Sequence, residues 1–575
     1  MKAPVMMAVL FVIALGVYGN TISNGFLLDD TFIVEQNPLI QKISGIPRLF
    51  TLDYWAPHFK RNLYRPLTMT SYALNFVILG PSPTGFHLVN ILLHGMITLL
   101  VFRLTTSLTD RKGLAFLAAL IFAIHPIHTE AVAGVVGRAE LLACAFFLSG
   151  WIMYRCSTRR RLFVSLSALA YFLALMSKES AVTLLAVLLL DDLITRKGGL
   201  TQRLQIRLLL HVAALGIYLV IRHFAIGIDQ PMSGLVTRLD NPLAFATGWE
   251  RVLTATALTG QYLKLLVFPL NLSADYSLAQ TQVLLSPWNA GLIVAVLAGL
   301  LVLAGAILSV RRCPVITLAV LSGGVTFFPV SNIPFPIGTA MGERLVYIPS
   351  FGFCLALSAV IVLMYERIKR KVFKRLVVLL VSLAILGMAV RTVARNADWS
   401  EPERLWATSL EAAPRSIKLH VFMAQEAIAK GDLERAESFV LKALELGPDV
   451  SEAWAAKGFL LGVRGEDYMA CEALRQAARF APRSPDVKLN LGVSLFNLGK
   501  MGEAEKEVRD ALALRPFMPR AYLILGMILE ATQRYAEAAR AYGIALTQDP
   551  GLSEARAGLI RLQQLFRTQG RSYGN

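Results

Sequence analysis

Two patterns of apolar and polar positions divide the chain. From residue 1 to 393, apolar residues run in long blocks separated by short polar stretches. A helix that crosses a bilayer needs ~20 mostly apolar residues. Blocks of that kind lie at about 4–22, 86–106, 114–133, 140–154, 162–177, 181–195, 208–226, 288–310, 315–330, 345–364 and 376–393, which predicts eleven crossings. A further stretch, 251–268, contains Gly260, Gln261 and Lys264 and reads as re-entrant or interfacial. The first block follows Lys2, as in a signal peptide. Val17-Tyr18-Gly19-Asn20 is a poor cleavage site, however, so a retained signal-anchor is expected.

Beyond residue 393 the long blocks stop. Prolines 414, 448, 482, 516 and 550 recur every 34 residues, the tetratricopeptide period. Ala436, Ala470, Ala504 and Ala538 keep the same phase, as do Ala443, Ala477, Ala511 and Ala545, and Gly458, Gly492 and Gly526. Small residues let paired helices approach, and proline closes the second helix. Trp454 and Tyr522 hold the aromatic position. The expected organisation is a membrane domain at 1–393 with a long loop at 23–85, then a connecting helix in 394–416. Four repeats follow at 417–450, 451–484, 485–518 and 519–552, and a capping helix and tail at 553–575. The fold class is all-α: a multi-spanning helical bundle followed by an α-solenoid. Such solenoids bind extended peptides or partner helices in a concave groove. Packing on the membrane part or mediating oligomers is the plainer role.

Composition agrees. The chain has 575 residues, 55% hydrophobic and 17% charged, too apolar for a water-soluble globule at ~25% charged. The net charge of +18 would suit nucleic acid, but its placement explains it otherwise. Basic clusters recur between blocks: Arg111-Lys112, Arg155 with Arg159-Arg160-Arg161, Arg196-Lys197 with Arg203 and Arg207, Arg311-Arg312, and 367–375. Cytoplasmic loops collect such residues. The N-terminus is then cytoplasmic, while loop 23–85 and the repeats are extracytoplasmic. No nucleic-acid partner is expected. Five cysteines without a CxxC indicate neither a disulfide framework nor a metal knuckle.

Ionisable residues in or beside spans are costly and point to function. They gather at the extracytoplasmic end. Asp29-Asp30 follow the first span; adjacent carboxylates cannot face the same way, so one lines a site and the other supports it. Such a carboxylate suits a general base on an acceptor hydroxyl; capping a helix at Thr31–Gln36 is the alternative. Arg65 lies further along the loop. His87, Asn90 and His94 share a helix face, as an interhelical hydrogen-bonding stripe would. His125, His128 and Glu130 follow the third block; their spacing matches no standard zinc motif, which favours a polar network or substrate contact over metal. Arg138, Lys178, Glu179, Asp275, Tyr276, Glu343 and Arg344 complete the set. A guanidinium at 344 binds two phosphate oxygens at once; an ion pair with Glu343 or snorkelling to the interface is its plainer role. These residues fit transfer from a membrane-embedded donor to an acceptor outside the cytoplasm.

The stretches Leu28-Asp29-Asp30 with Asn37-Pro38, Tyr64-Arg65-Pro66-Leu67, His87-x-x-Asn90-x-x-x-His94, His125 through Glu140, Lys178-Glu179, Ser273-x-Asp275-Tyr276-Ser277 and Glu343 through Ser350, together with the repeats, resemble the transmembrane, tetratricopeptide-containing O-mannosyltransferases. These are glycosyltransferases of the multi-spanning C-type fold. The resemblance implies a polyprenyl- or dolichyl-phosphate hexose donor, usually mannose, and Ser or Thr acceptors. It also implies inversion at the anomeric carbon. The acidic pair maps to Asp29-Asp30, with Asp29 preferred as base. Arg344 takes the departing phosphate, with Arg138, Lys178, His128 and Glu343 as further donor contacts. Arg65, His87, His125, Glu130, Asp275 and Tyr276 are expected to line the site. No metal ligand is assigned, although a divalent ion stays open. The donor is a substrate, and no cofactor is otherwise implied. The short solenoid and the Arg- and Leu-rich, Cys-poor character look bacterial, which would mean the inner membrane with periplasmic repeats. A membrane scaffold for envelope or polysaccharide assembly and a lipid-linked sugar transporter are the competing classes.

Overall fold

The computed structural model describes residues 2–157, 162–195, 202–227 and 236–568. Arg159, Arg160, Arg161, Arg196 and Lys197 therefore lie outside the described residues. The described residues form helices joined by turns, with a single isolated bridge between Leu278 and Thr281. They fall into two compact units, residues 1–56 with 60–414 and residues 57–59 with 415–575.

In the first unit the usual distribution of polarity is inverted. On helix Pro83–Thr109, His87, Asn90, His94, Thr98 and Thr105 are fully buried, while Leu88, Leu92 and Met96 on other faces are exposed. Helices Ala290–Ser309 and Lys371–Asp398 expose Leu297, Leu301, Leu308, Leu380 and Leu386. Water would not tolerate so much exposed apolar surface, whereas lipid matches it. Among the described residues seven helices are long and apolar enough to cross a membrane, or eight if one bent pair is a single span. The chain is thus a multi-pass membrane protein.

Length and composition alone do not reach the eleven crossings expected. The blocks at 162–177 and 315–330 form apolar helices shorter than the others, Leu162–Ser177 and Pro314–Val330. The block at 181–195 yields only the 12-residue helix Leu184–Thr195, because a 3-10 turn, Glu179–Thr183, takes up its start. All but the last residue of the stretch at 251–268 lies within one continuous helix, Gly248–Val267, opened by a reciprocal Thr247–Glu250 capping box. This helix is not among those long and apolar enough to cross a membrane.

One helix break is informative. Helices Lys112–Ile124 and Pro126–Ala133 are bent by 51° at His125-Pro126, since proline cannot continue the ladder. The carbonyls freed by the bend are buried and need donors. His128 Nδ1 meets the Phe122 carbonyl at 2.9 Å, and His94 Nε2 meets that of Ala123 at 3.0 Å. Thr392 Oγ1 donates to Ile124 at 2.6 Å.

Helix ends sort the charges. Arg111 pairs with Glu366, and Arg155 pairs with Asp191 at 2.6 Å, where helices 83–109, 138–156 and 350–367 all finish. Trp151 Nε1 also donates to Asp191, which is fully buried. Removing one partner from such a pair strands the other. Asp191→Ala should therefore destabilise the protein by about 3 kcal/mol. This would be read as a lowered thermal midpoint of detergent-solubilised protein; an unchanged midpoint would contradict it.

The second unit stacks helix pairs Ile417–Ala429/Leu433–Leu446, Ser451–Val463/Asp467–Phe480, Pro485–Asn497/Met501–Leu514 and Pro519–Ala531/Tyr535–Gln548, followed by Ser553–Thr568. The periodic alanines are all buried. A Cβ on Gly458, Gly492 or Gly526 would lie about 2.5–2.6 Å from Leu474, Val508 or Tyr542 of the facing helix, so only glycine permits this approach.

Candidate active site

Residues from five separated segments meet where helices 138–156 and 350–367 begin and helix 162–177 ends. Arg344 is central. Its backbone N–H donates to Glu130 Oε2 at 2.9 Å, and its guanidinium lies 3.3 Å from Glu130 Oε1 and 3.6 Å from Asp29 Oδ2. Burial works against its charge, but Glu130 and Asp29 outweigh this and hold its pKa above the usual arginine value. Asp29 and Arg344 remain about one third exposed, while Glu130 is buried. Glu130 thus fixes the arginine, and Asp29 faces the open side.

Asp30 points away from Asp29. Its carboxylate accepts the backbone N–H groups of Leu27, Val135 and Val136, the last at 2.8 Å. It makes no cap hydrogen bond to the turn Thr31–Glu35, so it supports the irregular strand of chain beyond the bent helix instead of capping its own helix. Burial pushes Asp30 up to about 7, against those three donors. Asp30→Asn places an amide among N–H groups that require an acceptor. It should cost roughly 2–3 kcal/mol of stability, visible as a lower thermal midpoint; a midpoint equal to that of the wild type would contradict this support role.

Two more cations complete the cluster, each already paired. Arg65 grips Glu179 through both oxygens, at 2.9 and 2.6 Å, and Lys178 pairs with Glu140. Arg65 and Lys178 both pull the Glu179 carboxyl down to about 2, against burial. Glu343, next to Arg344, turns away. It accepts from Ser273 N and Tyr276 Oη, both at 2.7 Å, and burial pushes it up to about 7. The Ser273 loop in turn bonds Ser409 of helix Pro402–Ala412. Tyr262 Oη holds Gly342 at both its N–H and its carbonyl.

Several residues expected at the site stand behind it. Arg138 is fully buried and donates to Asn90, Asn75, Ser71 and Phe86 while lying over the rings of Tyr72 and Phe86. A guanidinium so occupied does not present itself to a donor phosphate. His128 is held between the Phe122 carbonyl and Ser350, and His125 between the Leu266 carbonyl and the Ile127 N–H. His87 meets the Gly25 carbonyl at 3.3 Å. Of these imidazoles only His128 bonds a carbonyl freed by the bend; His125 and His87 tie in the Leu266 and Gly25 carbonyls of other segments. Asp275 accepts from Ser277 at both N and Oγ, which shapes its own turn. Among the described residues no group of three or more His, Cys, Asp or Glu is placed to hold a metal ion. Sequence reading passed over Tyr54, which lies within electrostatic reach of Arg65, Asp29 and Arg344; its position in the long loop gave no periodicity to mark it.

Fold and site thus define a multi-pass helical membrane protein with a cluster of paired charges where helices of its bundle end and a repeat array at its C-terminus. A family model described as "Protein O-mannosyl-transferase TMTC, DUF1736" matches residues 230–303, and one for tetratricopeptide repeats matches 470–519 and 489–553. Similar proteins include human Protein O-mannosyl-transferase TMTC3, 27% identical over 92% of this chain and 63% of its own length. A Protein O-mannosyl-transferase of Caenorhabditis elegans is 29% identical over 76% and 62%. Human Protein O-mannosyl-transferase TMTC1 is 28% identical over 75% and 54%. The chain resembles this family through both its membrane and repeat parts, and spans 54–63% of these relatives' length.

Proposed function

We propose that the chain is a membrane glycosyltransferase that moves a hexose, mannose by analogy with its relatives' names, from a polyprenyl-phosphate carrier to Ser or Thr hydroxyls of a protein acceptor. The observation that carries the reading is the pairing of Asp29 with Arg344, 315 residues apart in sequence, on the open side of Glu130. A carboxylate beside a guanidinium supplies a proton acceptor and an anion acceptor across one small gap.

The acceptor oxygen attacks the anomeric carbon and gives its proton to Asp29. The bond from that carbon to the phosphate oxygen breaks on the opposite face, and the phosphate leaves with the electron pair. Its charge rises from one negative charge to about −1.5 to −2, so Arg344 binds the transition state more strongly than the ground state. An incoming phosphodiester competes with Asp29 for Arg344 and thereby frees the carboxylate to act as base. Basic clusters lie at the opposite end of the bundle, and the positive-inside rule puts them in the cytoplasm. The site and the repeats are then extracytoplasmic, and the repeats present the acceptor chain.

The test is incubation of purified protein with radiolabelled polyprenyl-phosphate mannose and Ser/Thr peptides. Label on the peptide with release of polyprenyl phosphate supports the enzyme. Donor binding without transfer would mean transport, and neither would mean a scaffold. A reporter at residue 400 should read extracytoplasmic, and a cytoplasmic signal would overturn the orientation.

A further inference from the structure

Three arginines share one carboxylate at the end of helix Lys371–Asp398. Arg391, Arg395 and Asp398 lie on one face of that helix, and Arg404 reaches them from the first turn of helix Pro402–Ala412. Asp398 is 3.3 Å from Arg395, 3.6 Å from Arg404 and 3.9 Å from Arg391. All three distances exceed the ~2.7–2.9 Å of a well-formed charge-assisted hydrogen bond. The buried Arg395 donates through Nη1 to Asp398 and Thr408, while its Nε and Nη2 groups find no acceptor among the described residues. Folded proteins seldom leave buried donors so. Glu343 is within electrostatic reach of Arg391 and Arg395. It already accepts from Ser273 and Tyr276, and burial pushes it up to about 7, so it carries only part of a charge at neutral pH. The cluster is short of negative charge.

That shortage reaches the surface. Arg404 is half exposed and Arg391 about a quarter exposed. Arg391 Nε also donates to the Leu270 carbonyl at 3.0 Å, which ties in the chain just beyond helix Gly248–Val267. Leu386, Val390 and Val393 on its own helix are exposed, as are Val267, Phe268 and Leu270. An apolar surface of this kind suits lipid, and the arginines stand where it ends. Snorkelling to the interface is the plainer role of a single arginine, but it does not gather three around one carboxylate.

We infer that Arg391 and Arg404 bind the phosphate of an anionic phospholipid of the surrounding bilayer, with Arg395 and Asp398 behind them. The phosphate replaces the two longest contacts of Asp398, which stays with Arg395. Guanidinium groups offer paired donors to phosphate oxygens, and basic pockets between spanning helices recognise lipid headgroups. The excess positive charge favours a headgroup with net negative charge over a zwitterionic one. Bound lipid holds the last apolar helix to the Leu270–Ser273 turn, which bonds Glu343 beside Arg344. The inference needs only that the chain spans a membrane, and it stands apart from the glycosyl-transfer reading.

The test uses delipidated full-length protein in neutral detergent, with phosphatidylglycerol, phosphatidylcholine or polyprenyl phosphate added. Binding is read as a rise in thermal midpoint. Phosphatidylglycerol should raise the wild-type midpoint, and phosphatidylcholine should raise it far less. Arg391→Gln and Arg404→Gln should each weaken phosphatidylglycerol binding about tenfold, the scale of one charge-assisted hydrogen bond. The lipid-free midpoint of Arg404→Gln should match the wild type, because its pair is exposed and long. Arg344→Lys should respond to phosphatidylglycerol as the wild type does, which separates this site from the catalytic one. Equal responses to the two phospholipids, or a phosphatidylglycerol response that survives both glutamine substitutions together, would overturn the inference. So would a polyprenyl phosphate response lost in those variants while phosphatidylglycerol gives none, since the arginines would then serve the sugar carrier.

Discussion

Asp29→Asn should lower kcat by about 10²–10⁴, the usual contribution of a general base, and leave the fold unchanged. Asp29 is one third exposed, and its described contact is a 3.6 Å ion pair with Arg344. Exposed pairs of this kind contribute about 0–1 kcal/mol, so the thermal midpoint should hardly move. Donor KM should fall modestly, because the phosphodiester no longer has to displace a carboxylate from Arg344. Asp30→Asn should show the converse, a lower midpoint with turnover near that of the wild type in the folded fraction. The measurement is single-substrate kinetics with thermal unfolding on both variants. Full turnover in Asp29→Asn together with dead, well-folded Asp30→Asn would reverse the assignment.

Arg344→Lys should lower kcat by about 10²–10³, comparable to removing one donor from a preorganised anion site. The charge remains, but the planar fork that holds Glu130 with one arm and a phosphate with the other is lost. Because the phosphate gains charge as it leaves, the loss should fall on kcat more than on KM. A variant with raised KM and intact kcat would show that Arg344 holds the ground state only. Glu130→Gln should fall in the same direction by a smaller factor, since it touches Arg344 and not the reacting atoms.

The residues of the site were legible because their cost marks them. Asp29, Arg65, Lys178, Glu179 and Arg344 are charges beside apolar blocks, and such charges seldom persist there without a role. Their division of labour was not legible. Asp29 and Asp30 differ by one position, and only the N–H groups of Val135 and Val136 show that Asp30 is committed to support. His125 and His128 read as candidate ligands or substrate contacts, yet His128 bonds the Phe122 carbonyl that the bend at Pro126 frees, and His125 bonds the Leu266 carbonyl of helix Gly248–Val267. Arg138 read as a phosphate contact, but its donors are taken by Asn75, Asn90, Ser71 and Phe86.

The repeat array was close to complete in the sequence. Its contacts are local, so a 34-residue period is enough to state which alanines and glycines pack, and the buried Ala436, Ala470, Ala504 and Ala538 follow that period. The membrane bundle was half written. Apolar blocks mark helices because lipid imposes a length and a composition, but crossings cannot be counted where a turn or a bend shortens a block, as at Glu179–Thr183 and His125-Pro126. How the site residues pair depended on tertiary structure alone. Asp29, Glu130 and Arg344 carry no shared periodicity, and which of them touch is settled by how separate helices end at one level of the bundle, where each buried charge must find its partner.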